Sequence, residues 1–112
     1  MIVRTACLQG SVKPQDIDRL DRFVAEEVVP LMKSFPGVRS VRVLRALCVE
    51  DDGPLLHMTF ESAYDDEQAM RSAFTHPVRA ELRARLEHIK SWFEGRMFHI
   101  THKLIADEIA DS

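Results

Sequence analysis

Two histidines, one arginine and a set of small polar side chains are the residues of this sequence best suited to chemistry. His57 and His99 carry imidazoles, which take up and release protons near neutral pH. Arg42 carries a permanent cation that can hold a carboxylate or an enolate-like oxyanion. Thr5, Cys7, Thr59 and Thr101 offer hydroxyl and thiol groups as ligand contacts. His57 and Thr59, Thr5 and Cys7, and His99 and Thr101 are each two residues apart, so each pair shares one face of an extended strand. Set on one sheet face among apolar walls, they would make a small-molecule site with His57, His99 and Arg42 as its catalytic groups. The competing reading is that these groups bond one another, or a second chain, across an interface. For each histidine taken alone that structural role is the more ordinary one.

Other chemistry-bearing patterns are weaker. His99 and His102 point to opposite faces of a strand, and His57 with His99 has only Glu61 as a carboxylate nearby, so no metal is expected. Cys7 lies beside basic groups, which lower a thiol pKa, but a strand-borne cysteine is ordinarily just buried. No glycine-rich phosphate loop or dinucleotide fingerprint occurs, and the sequence points to no cofactor. His76-Pro77 reads as a helix cap. His88 and Trp92 lie one helical turn apart and read as packing at a core edge.

The elements that must position these residues are cut out by Gly10, Pro14, Pro36-Gly37, Gly53-Pro54, Pro77 and Gly95. Residues 2–9 read as a first strand. A helix opens at Pro14, with an apolar stripe of Ile17, Leu20, Val24, Val28, Leu31 and Phe35 and a loosened last turn at Pro30. Residues 38–49 read as a second strand with Arg42 on its polar side, and Glu50-Asp51-Asp52-Gly53 as a hairpin turn. Residues 55–61 read as a third strand, with Leu56, Met58 and Phe60 toward the helices and His57 and Thr59 away from them. Asp65 and Gln68 resemble a capping box for a short helix through Phe74. A second helical piece runs from Pro77 to Gly95, and residues 97–105 read as a last strand. There Phe98, Ile100 and Leu104 face the helices and His99 and Thr101 face away. An acidic tail follows.

The order βαββαβ predicts an α+β fold, a ferredoxin-like antiparallel sheet of order 4-1-3-2 with helices on one face. Its other face, with Val3, Leu44, Leu55 and Met97 among the polar groups, is expected to stack on the sheet of a second copy and form a dimeric α/β barrel. At 112 residues the chain is one domain. Its net charge of −3 gives no basic field for nucleic acid or an anionic membrane. With no signal-like start and no long apolar run, the expectation is a cytoplasmic protein. Two cysteines are too few for a disulfide framework.

The Pro30-Leu31 pair, Phe35-Pro36-Gly37-Val38 leading into the second strand, Phe60-Glu61-Ser62, and a helix ending at Thr75-His76-Pro77 together resemble the dimeric α/β-barrel superfamily, in its EthD-like branch. EthD-like proteins often carry a histidine two residues before the Pro-Leu pair, where this chain has Val28. The stress-responsive branch typically has a histidine in strand one, and the nearest counterpart is Arg4. The resemblance implies a homodimer. The superfamily's small monooxygenases, isomerases, haem-handling enzymes and accessory proteins imply work on a hydrophobic or aromatic small molecule, in catabolic oxidation, cofactor-independent monooxygenation or isomerisation. The alternative is a non-catalytic ligand-binding or assembly module. Fold alone does not choose between them.

Overall fold

The computed structural model describes residues 1–111. Four antiparallel strands form one sheet: β1 (Ile2–Val12), β2 (Ser40–Arg45), β3 (Leu56–Tyr64) and β4 (Phe93–Lys103). Their order is β2-β3-β1-β4, the expected 4-1-3-2 read from the other edge. Between β1 and β2 the chain is helical: a 3₁₀ turn (Pro14–Asp16), α1 (Ile17–Phe23), a π-helical turn (Val24–Val28) and α2 (Val29–Lys33). Between β3 and β4 run α3 (Glu67–Ala73) and α4 (Val78–Ile89).

The helices bury one sheet face. Leu8, Met58 and Phe60 meet Leu20, Val24, Val28 and Ile89 in one core cluster, and Phe35, Tyr64, Met70, Ala73 and Val78 form a second. The π-helical turn accounts for Pro30. A proline at that position cannot donate a hydrogen bond to the turn before it. The helix widens instead, and Val29 N–H reaches back to the Val24 carbonyl.

Several boundaries differ from the sequence expectation. β2 stops at Arg45, and the chain to Leu56 is a loop in which Asp51 and Asp52 take φ of 53° and 57°. The cap of α3 is Asp66, whose Oδ1 accepts the Ala69 N–H at 2.8 Å. Asp65 is instead held by Arg39 at 2.8 Å. The last strand starts at Phe93 and contains Gly95. Gly95 faces Gly10 in the β1–β4 ladder, with φ of 151° and 153°. A Cβ on either would come within 2.1 Å of the neighbouring backbone and 2.9 Å of the Phe93 ring. That close approach, rather than a helix stop, explains the glycine.

Two corrections concern which face side chains take. In β4 the residues facing the helices are Phe93 and Met97, both packed in the core, so His99 and Thr101 share that side by alternation. Phe98 and Ile100, expected under the helices, lie on the open face. Register decides the face: both sides of β4 are mixed, and a one-residue slip exchanges them. The second correction comes from an irregularity in the β1–β3 ladder, where Leu8 pairs with Met58 but Gln9 pairs with Leu56. The extra residue is His57. Such a bulge re-aims its side chain, and His57 lies near Asp21 of α1 and Arg45 rather than on the open face.

Candidate functional site

The central strand carries one residue out of character with a core face. Arg4 lies between Ser62 of β3 and Thr101 of β4, on the side where Ala6 and Leu8 pack under the helices. Its guanidinium sits 4.6 Å from the centre of the Phe74 ring. Arg79, in the first turn of α4, approaches the same ring at 5.1 Å. The α3–α4 corner places Phe74 and Arg79 there. α3 ends at Phe74, and the His76 ring nitrogen Nδ1 accepts the Val78 N–H at 3.1 Å to start α4. The N-cap position is Pro77, and His76 just before it supports the helix start through that bond.

Between these cations and the helices opens a narrow cleft with a cavity volume of about 70 Å³. Its wall is Ala6, Val28, Met32, Phe35, Phe60, Leu82 and Leu86, with Ser62, Tyr64, Arg4 and His99 as the polar groups. An outer cleft continues from it past Arg79, Arg83 and Met97. A mostly apolar concavity with a few convergent polar groups is the usual form of a small-molecule site.

The electrostatics of the cleft are coherent. Burial, then the charge of Arg79, lower the Arg4 pKa, while Tyr64 draws it back up. Burial raises the Tyr64 phenol, against opposing pulls from Ser62 and Arg4. His99 lies at the mouth and is exposed in the single chain. The desolvation it does have, followed by repulsion from Arg4 and Arg79, lowers its pKa below 6.5. The imidazole is therefore neutral at pH 7 and free to accept a proton or a hydrogen bond.

The residues picked from the sequence divide between the two faces of the sheet. His99 and Thr101 stand on the cleft side, beside Arg4. Thr5, Cys7, Arg42 and Thr59 lie on the open face, and His57 lies at the bulge. Arg42 is ion-paired to Glu61 at 2.8 Å, which engages the cation expected to hold an oxyanion. Cys7 is buried, and burial raises its thiol pKa, the reverse of the expected effect of basic neighbours. The structure adds Arg4, Phe74, Arg79, Ser62 and Tyr64. Arg4 had a signal in the sequence: an arginine in the first strand at the spacing of Ala6 and Leu8. Phe74 and Arg79 reach the site through the helix corner, which strand periodicity does not reveal.

No family model matches the sequence, and neither does any curated protein. Solved structures do. An ethyl tert-butyl ether degradation (EthD) family protein from Bacillus halodurans superposes with a TM-score of 0.68 at 19% identity, over 94% of this chain and 100% of that one. The sheet order and this likeness decide the fold. The chain has a ferredoxin-like fold. A dimeric ferredoxin-like protein from Bacteroides fragilis matches with a TM-score of 0.65 at 13% identity, over 92% of this chain and 95% of that one. A candidate antibiotic-biosynthesis monooxygenase from Nitrosomonas europaea matches with a TM-score of 0.61 at 13% identity, over 95% and 100%. No helix among the described residues is long and apolar enough to cross a membrane.

Proposed function

We propose that this ferredoxin-like chain pairs with a second copy to form a dimeric α/β barrel, and that each protomer binds a hydrophobic or aromatic small molecule in the cleft between sheet and helices. The observation that carries the reading is the cleft itself: an apolar wall from Val28 to Leu86 closed by Arg4, Ser62, Tyr64 and His99. In the enzyme reading the neutral His99 removes a proton from the bound molecule and Arg4 stabilises the oxyanion that forms. Those are the elements of an isomerisation, or of a cofactor-independent monooxygenation in which dioxygen is the co-substrate and takes the electrons of the deprotonated molecule. The EthD-like and monooxygenase-like neighbours support that direction at the level of fold. Thr101 borders the same face, whereas Thr5, Cys7, Arg42, Thr59 and His57 belong to the dimer side or to the bulge.

One observation favours a second reading, a binding module without turnover. No side-chain hydrogen bond among the described residues orients His99. A general base is ordinarily held by such a partner.

The experiment is an amide-resolved NMR titration with a panel of aromatic metabolites. Shifts should cluster at Ala6, Phe60, Ser62, Leu82 and His99. Shifts confined to Thr5, Cys7, Arg42 and Thr59 would overturn the cleft as the site. For any compound turned over, His99→Gln should abolish turnover while binding persists. Unchanged turnover would overturn His99 as the base, and a panel of which members bind but none is turned over would leave the binding-module reading.

A further inference from the structure

We propose that the ligand of this cleft is a monoanion, an aromatic or alkyl carboxylate, whose charged end lies between Arg4 and Arg79 while its apolar body enters the helix–sheet cleft. The inference rests on the cleft being a ligand site and goes further by naming the chemical class.

Its basis is a local charge imbalance. The chain as a whole carries a net charge of −3. The outer cleft is nevertheless lined by Arg4, Arg79 and Arg83, against a single carboxylate, Glu87. Glu87 is engaged elsewhere, accepting from Lys90 Nζ at 3.0 Å. The ion pairs among the described residues join Arg19, Arg39, Arg42, Arg45, Arg71, Arg85 and Lys90 to acids, and none includes Arg4, Arg79 or Arg83.

Arg4 and Arg79 are both half-buried and share one aromatic partner. Phe74 offers its ring to guanidiniums 4.6 Å and 5.1 Å away. Cation–π attraction offsets part of the repulsion between two like charges, but it does not neutralise them. Arg79 Nη1 makes only a long contact to the Phe74 carbonyl, at 3.4 Å. The remaining guanidinium N–H groups are available as donors. A guanidinium fork matches a carboxylate in shape, and two forks facing one anion fix its orientation. Arg4 lines both the inner and the outer cleft. A carboxylate held there leaves its substituent directed at Phe35, Leu82 and Leu86, which also border both.

The cleft therefore selects for charge at one end and against it at the other. A dianion such as inorganic phosphate would meet the arginines but bury nothing in the apolar part. A neutral aromatic would fill the apolar part and leave the guanidiniums without a counter-ion.

The test is a calorimetric or NMR titration of the purified protein at low salt with 3-phenylpropionate and, separately, with 3-phenylpropionamide, which has the same skeleton without the charge. The carboxylate should bind about tenfold or more tightly than the amide, and added salt should narrow the difference. Arg79→Gln, on the rim of the helix layer, should bring the carboxylate down to the level of the amide. Arg4→Gln should do the same. A thermal melt identifies a variant that has lost its fold, and the Arg79 variant with an intact melt then decides. Equal binding of carboxylate and amide by the wild-type protein would overturn the anion proposal while leaving the cleft as a site for neutral molecules. Binding of neither probe up to millimolar concentration would overturn both.

Discussion

At the scale of single residues, two histidines are biased toward their neutral forms, His99 at the cleft mouth and His57 at the β1–β3 bulge. Burial lowers the pKa of both His57 and His99 below 6.5, although the charges around them differ: Asp21 pulls His57 up and Arg45 pushes it down, while Arg4 and Arg79 push His99 down. In the unfolded chain both regain the ordinary value. Between the folded and unfolded values the unfolded state binds more protons, so stability is full above about 6.5 and is lost as pH falls through that window. The melting temperature should therefore drop on acidification from about pH 8 to about pH 5.5, and His57→Gln and His99→Gln should each flatten that slope. A slope unchanged in both variants would assign the acid sensitivity to other groups. His57 has a further signature. Its Nε2 is buried without a hydrogen-bond partner among the described residues, as is Asp21 Oδ1. The two thiols give a second residue-scale prediction. Cys7 is buried, with its pKa raised, and Cys48 is exposed. Native protein should alkylate rapidly at Cys48 alone, with Cys7 reacting only on unfolding; equal rates at both would contradict the burial of β1.

At the scale of elements, Leu20, Val24 and Val28 of the first helical segment and Met58 and Phe60 of β3 are legible, because they repeat at helical and strand periods, whereas Leu56, expected on the same face, lies beyond the bulge and outside the core. The face of β4 is not. Phe98 and Ile100 alternate with His99 and Thr101, and the apolar run suggested the core side. In the structure Met97 and Phe93 hold that side. Neither Phe98 nor Ile100 needs a helix over it if another layer covers the open face. The His57 bulge was illegible for a different reason: an extra residue in a ladder leaves no mark in a pattern of period two. Asp65 and Asp66 are indistinguishable in sequence because either suits a helix start, and only the geometry shows that Asp66 accepts the Ala69 N–H. That assignment is testable. Asp66→Ala should cost about 1 kcal/mol of stability through the lost cap, whereas Asp65→Ala, on a surface ion pair, should cost little. Comparable losses would argue against Asp66 as the cap. The Gly10–Gly95 pair should be far less tolerant. Either glycine changed to Ala puts a methyl against backbone and the Phe93 ring, and should lose about 3 kcal/mol or fail to fold.

At the scale of the molecule, one sheet face is packed under helices and the other carries a mixture that water alone does not explain. Leu44 and Ile100 are exposed there, Phe98 is half-buried, and Thr5 and Cys7 are already shielded by their neighbours. The charges on this face are partly cancelled in advance: Arg42 is paired with Glu61, and Arg96 Nε donates to Gln9 Oε1 at 2.9 Å while stacking 5.1 Å from the Phe98 ring. A face with charges paired in advance and apolar groups bare is suited to meet a copy of itself, as the proposed dimer requires. In a two-fold interface each substituted residue occurs twice, so one mutation acts with double weight. Ile100→Lys removes apolar burial and adds a charge to the contact. At about 1.5 kcal/mol per copy, dimerisation should weaken on the order of a hundredfold. Sedimentation velocity reads this directly: the wild type should run as a dimer at micromolar concentration, and the variant should shift toward monomer without loss of its helical signal. Because the cleft opens on the opposite side of the sheet, the dissociated variant should keep its affinity for a cleft ligand. A wild type that is monomeric throughout would remove the partner sheet from this picture and leave Ile100 and Leu44 as ordinary solvent-facing residues.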